Sequence, residues 1–332
     1  MKKGIKSITQ IFTIFAVVLF FQACSLKVPI KSTEKSENKY EPSLDVESKA
    51  IKEVSFINAL DKDATIITGE FKENIHLEYK KEKLEASSFI KNALQEEFKA
   101  RALPISIIDT SLDSLNLENF EIFVYRSSGF SPVVTFSSLR VTVQIGDKKE
   151  TFVSIVKRGK VPVWVVDEIF DPCFNEPISL MIKEIVAKIN KAYFNYKISD
   201  EKVSEIMLKI DKGVNNDDKL NYLNIYELGF SNNPKALELL KQYTNNSDEY
   251  LRLASLSMLG FLGGESEFDY LVSKYRNSKI WQDRALSMKA IADINTEKTK
   301  KFLQNEYKLW KAQDSKEAIW NVMLLDILKV ND

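Results

Sequence analysis

The 332-residue sequence predicts an α+β domain, an antiparallel sheet with two helices, followed by an all-α domain of helical repeats. Three observations predict it. Short apolar alternations suited to half-buried strands fill the chain between about residues 51 and 197 and then give way to helical spacing. Two longer amphipathic segments interrupt those strands, as in a sheet that carries helices on one face. Beyond residue 198, apolar and small residues recur at steps of 31 to 33, the period of stacked helix pairs.

Composition bounds the function. The chain carries 47 Lys and Arg against 47 Asp and Glu, so it lacks the basic balance of a nucleic-acid binder, and no nucleic-acid partner is expected. One histidine and two cysteines leave little for His-based chemistry or a disulfide scaffold. With 44% apolar and 28% charged residues the chain is of ordinary globular composition.

The first 23 residues read as a secretory leader. Lys2, Lys3 and Lys6 form a positive start, and Ile11 to Phe21 are an uncharged run of 11 residues, about 17 Å as a helix and too short to span a bilayer. Phe21-Gln22-Ala23-Cys24 then places a cysteine directly after a small residue. This resembles the lipobox of bacterial lipoproteins, with Phe21 where the family prefers leucine. The resemblance implies cleavage before Cys24, lipidation of that residue and a membrane anchor of two or three acyl chains. Ser25 follows where an inner-membrane retention signal would place an acid, which by the same resemblance implies the outer membrane. Removing three lysines leaves 44 bases against 47 acids and Cys173 as the remaining thiol.

Residues 24–50 contain Ser, Lys, Glu, Asn and Pro with few large apolar side chains, which predicts a lipidated flexible tether. From 51 to 197, Val54–Ile57, Thr65–Ile67 and Phe120–Tyr125 read as strands and Leu84–Leu103 as a helix. Leu139–Ile145, the turn Gly146-Asp147-Lys148-Lys149 and Phe152–Val156 read as a hairpin, and Pro177–Phe194 as a second amphipathic helix. This order resembles small envelope lipoproteins that assist outer-membrane assembly or lipid transport.

In residues 198–332, Leu228, Leu259, Ile291 and Leu324 mark one helix of each pair, and Leu240, Leu271 and Leu303 the other. Asn233-Pro234, Ser247-Asp248 and Thr296-Glu297 are helix starts, and Gly229, Gly260 and Ala292 permit close approach. Asp248 to Leu271 resembles the short HEAT-like repeat, with Arg252 and Arg284 equivalent and 32 residues apart. Asn221 and Glu317 replace that arginine in the outer pairs, as in capping units. The resemblance implies a protein-binding surface; Arg252 and Arg284 are its candidate contacts, or else bridges between neighbouring repeats.

Signals for chemistry are sparse. His76 has no second histidine with which to share a metal, so neither a metal nor a cofactor is expected. Cys173 reads as a buried apolar residue rather than a nucleophile. Asp167, Glu168 and Asp171 could form a carboxylate hydrolase pair or simply cap a helix. Lys157-Arg158-Gly159-Lys160 reads as a solvated basic turn. The expectation is therefore a lipid-anchored, non-enzymatic envelope adaptor or accessory subunit with a protein partner. The alternative is a lipid- or glycan-binding carrier, which an apolar cavity between helices and sheet would favour.

Overall fold

A computed structural model describes residues 25–42, 50–61, 65–70, 72, 74–128 and 130–330; the leader, Cys24 and the middle of the expected tether lie outside the described residues. The main sheet has the order β6-β2-β7-β8-β9, with β3 also on β7. Its strands are β2 (Lys52–Asn58), β3 (Ile67–Gly69), β6 (Ile105–Ile108), β7 (Ser114–Tyr125), β8 (Val133–Ile145) and β9 (Lys148–Lys160). The hairpin forms as expected, Ile145 facing Lys148 across the turn and Val133 facing Lys160 at the far end.

The sheet is mixed, which corrects the antiparallel expectation. β2 runs parallel to both β6 and β7, and β3 runs parallel to β7. Parallel neighbours need a crossover, and helix α1 (Ala86–Ala100) lies in the connection between β2 and β6. Gly69 ends β3 at φ +85°, where a Cβ would lie 2.4 Å from the Val124 carbonyl oxygen, so a glycine is needed there.

A second sheet joins β1 (Leu26–Ile30), β4 (Ile75–Tyr79) and β5 (Glu82–Lys83), with β1 parallel to β4. The flexible-tether expectation is corrected here for residues 26–42. Val28 and Ile30 are buried, alternating as a strand should. Beyond them the chain is clamped. Lys31 pairs with Asp171 at 2.7 Å, and Glu97 accepts from the Ser36 amide at 3.0 Å. The buried Tyr40 hydroxyl donates to the Phe230 carbonyl at 2.6 Å. Fully buried Arg101 donates to the Asn38 carbonyl and grips Glu227 with two hydrogen bonds of 2.7 and 2.8 Å. The misleading feature was composition: four spaced apolar side chains, Leu26, Val28, Ile30 and Tyr40, and one arginine clamp order a segment that is otherwise polar.

Helix α2 (Glu176–Ile189) follows a one-turn π-helix, Asp171–Asn175. The expected inward residues Ile178, Met181, Ile182, Ile185, Ile189 and Phe194 are all buried. Then come α3 (Asp200–Asn215), α4 (Tyr222–Gly229), α5 (Leu237–Tyr243), α6 (Glu249–Gly263), α7 (Phe268–Asn277), α8 (Trp281–Ile294), α9 (Glu297–Lys311) and α10 (Lys316–Ile327). Every leucine or isoleucine that marked the period is buried. Asn233, Asp248 and Thr296 cap their helices by accepting backbone amides.

The helical region covers the sheet. On one face Thr135 donates to the Cys173 carbonyl and Ser154 to Glu184 of α2. On the other, Phe136 packs edge-on against Trp281 and Trp320, and Arg140 donates to the Ile327 carbonyl. Leu253 through Phe261 of α6 and Ala285 through Ile291 of α8 are buried without interruption, as in helices enclosed on all sides. In α9 only Thr299, Leu303 and Glu306 are buried among the described residues, so it forms part of an outer layer. One continuous apolar cluster runs from Val28 to Val330, and the two sequence domains share it.

Candidate interaction surface

The groups that suggested chemistry hold structure. Glu168 accepts amides from Val163, Trp164 and Val165 at 2.9, 3.0 and 3.4 Å, and these bonds hold its carboxyl below the ordinary 4.5. Asp171 is held down by Lys31 and accepts from Asn175. Asp167 lies exposed at the start of a short 3₁₀ turn, Val166–Ile169. Cys173 is fully buried, and burial pushes its thiol up to about 12. His76 is exposed on β4. Among the described residues no group of three or more His, Cys, Asp and Glu side chains is placed to hold a metal ion.

Arg252 and Arg284 lie between consecutive units. Arg252 Nε donates to Asp283 at 3.0 and 3.1 Å while its Nη1 donates to the Asn246 carbonyl. Arg284 repeats this one unit on, pairing with Glu317 and donating to the Ser278 carbonyl at 2.7 Å. Both are mostly buried, so of the two sequence readings the structure matches bridging. Asn221 of the first pair is also buried and donates to the Ile210 carbonyl of α3.

A buried ionic cluster that periodicity did not reveal joins the two regions. Glu184 and Lys188 of α2 meet Lys289 and Asp293 of α8. Lys188 lies 2.7 Å from Glu184 and 2.6 Å from Asp293; Lys289 lies 2.8 Å from Asp293 and pairs with Glu184. Ser154 donates to Glu184, and Lys289 also donates to Ser257. Two cations and two anions cancel, and the extra hydrogen bonds offset desolvation. In sequence these are two ordinary (i, i+4) charge pairs, which usually mark solvated helix faces. The basic turn likewise proves to be the last part of β9, with Lys157 and Arg158 buried and Lys160 exposed. Lys157 pairs with Glu249, and Arg158 lies 4.0 Å from the ring centres of Tyr222 and Tyr250 while pairing with Glu176.

Among the described residues, three features open to solvent bear on a binding role. The first is the outer helix layer, where Lys301, Lys308 and the 54%-exposed Leu309 share one side of α9. The second is a cleft of about 630 Å³ between the β8–β9 hairpin, α8, α9 and the end of α10. Its lining includes Lys148, Lys149, Lys188, Lys191, Lys300 and Lys329 against three carboxylates, and Lys191 donates to the Phe261 carbonyl. This is a polar cleft, not the apolar helix–sheet cavity that would have favoured the carrier expectation. The third is an apolar tip. The turn after β7 and the loop after β9 leave the same end of the sheet, because Tyr125 pairs with Val134 and Val133 with Lys160. They display Phe130, 96% exposed, and Trp164, 88% exposed, with Val163 and Val165 beside it.

No protein-family profile matches the sequence, and no curated protein matches it. A solved structure titled "Crystal structure of uncharacterized protein" aligns over 46% of this chain and 99% of its own, at 11% identity and a TM-score of 0.25; that likeness carries no weight for fold or function.

Proposed function

We propose that the chain is a lipid-anchored, non-catalytic protein of the bacterial envelope. It acts as an adaptor or accessory subunit that binds a protein partner through HEAT-like helical repeats. One observation carries this reading: the inner helices α6 and α8 are sealed against the sheet and α2, so the repeats offer the outer layer to a partner. On α9 that layer is a basic stripe around Leu309, whose complement is an acidic surface with an apolar centre. The test is crosslinked co-purification from membranes of the full chain beside a Lys301→Glu, Lys308→Glu variant of unchanged thermal stability. One dominant protein, lost in the variant, supports the reading. Equal recovery in both rejects this face.

The lysine-lined cleft favours a second reading, a carrier for a phosphate- or carboxylate-bearing lipid headgroup or glycan. Titration with such anions, compared with Lys149→Glu, Lys300→Glu, decides it: saturable binding weakened in the variant supports a carrier, and no binding heat removes it.

A further inference from the structure

We propose that the apolar tip formed by Phe130 and Val163–Val166 docks into the interfacial layer of a lipid bilayer, as a second membrane contact beside the acylated Cys24. This rests on the lipid-anchor reading above.

The first part of the case is presentation. Trp164, Val163 and Val165 stand out from the body at 88%, 64% and 59% exposure, and Phe130 at 96%. Both loops are shaped by their own hydrogen bonds. Glu168 gathers the amides of Val163, Trp164 and Val165, and Arg126 Nε donates to the Ser131 carbonyl at 3.1 Å while Ser128 and Ser131 bond to one another. The apolar side chains are thus held outward in place, not left over from an untidy loop. Aromatic and branched side chains on such a tip, with exposed Lys160 beside them, suit the bilayer interface, where tryptophan is enriched and cations meet anionic headgroups.

The second part is reach. The strand β1 begins at Leu26, two residues after Cys24, a link of at most about 7 Å. The 309 residues from Cys24 onward correspond to a radius of gyration of about 19 Å, so a body held this closely lies against the bilayer. The Leu26 amide donates to the Asn74 carbonyl at 2.6 Å, and Asn74 follows by four residues, at most about 14 Å of chain, Glu70, whose amide donates at 3.2 Å to the carbonyl of Val124 at the tip end of β7. The anchor and the tip therefore lie on the same part of the body. The opposite end of the sheet, where 102%-exposed Leu112 adjoins the hairpin turn, is about 40 Å from the tip along β8.

The test uses the full chain purified from bacterial membranes and reconstituted in phosphatidylethanolamine/phosphatidylglycerol vesicles. An environment-sensitive fluorophore is attached at Phe130→Cys, Trp164→Cys or Leu112→Cys; the buried Cys173 does not compete. Intact mass reports acylation of Cys24 separately. Docking gives several-fold stronger quenching by lipid-borne nitroxide at positions 130 and 164 than at 112, and shielding of both from aqueous iodide. Equal iodide access at all three positions overturns the proposal. So does shielding in native membranes but not in pure lipid, which assigns the tip to a protein instead. A mass without acyl groups defeats the anchor reading, while the quenching pattern still decides the tip.

Discussion

At the residue scale, much that looked like chemistry or a binding surface proves to be packing, and close approach has sharp consequences. A Cβ on Gly260 of α6 would lie 1.9 Å from the Ala290 carbonyl of α8, backbone against backbone. On Gly229 it would lie 2.5 Å from the Met258 Cβ, an atom that no rotation of that side chain moves. Gly260→Ala is therefore expected to destabilise by about 2–3 kcal/mol or more, and Gly229→Ala by less, because the gain in helix propensity, about 1 kcal/mol, offsets part of the shift forced on α6. Chemical denaturation of both variants checks the contrast. The two repeat arginines should also differ. Asp283 is nearly buried, so Arg252→Ala strands an anion at about 2–4 kcal/mol, while Glu317 is partly solvated and Arg284→Ala should cost about 1 kcal/mol. Cys173, buried and with its thiol pushed up to about 12, should resist thiol reagents until the protein unfolds. Labelling in the folded state at the rate of free cysteine would contradict that placement.

At the scale of elements, what sequence revealed and what it hid divide by the kind of contact. The β8–β9 hairpin, α2 and the repeat period were legible because each has a local rhythm: alternation, 3.6-residue spacing, a 31–33-residue step. The parallel strands were not, because pairing β2 with β6 and β7 depends on a crossover with no sequence period. Nor was the ion cluster between α2 and α8, whose members look like solvated pairs until both helices are buried. Lys289→Met is expected to cost about 3–5 kcal/mol by leaving buried Glu184 and Asp293 to share Lys188, and Glu184→Leu with Lys289→Met should recover most of it. A double-mutant cycle by denaturant unfolding measures the coupling. The tip loop carries a pH signature. Backbone hydrogen bonds hold the Glu168 carboxyl below 4.5, so its stabilisation is present above that value and is lost as pH falls through the lower folded one. Amide exchange of Val163, Trp164 and Val165, corrected for intrinsic rates, should rise in that acidic window, and Glu168→Gln should show faster exchange at neutral pH.

At the scale of the whole molecule, the strap of residues 26–42, the sheet and the helical repeats share one core, tied by Arg101 to Glu227 and by Lys289 to Glu184. Tyr40→Ala should cost about 3–5 kcal/mol and loosen both regions together, seen as one cooperative melting transition at lower temperature. On the proposed reading such a body, anchored through Cys24, would turn its outer helices toward the envelope. The most direct measurement is site-specific photo-crosslinking in living cells, with the probe at Leu309 on α9 and, as control, at Leu112 on the far end of the sheet. The reading as an adaptor predicts one dominant adduct of defined mass from Leu309 that is absent from Leu112. No adduct from Leu309, or the same ladder of weak adducts from both, would contradict it.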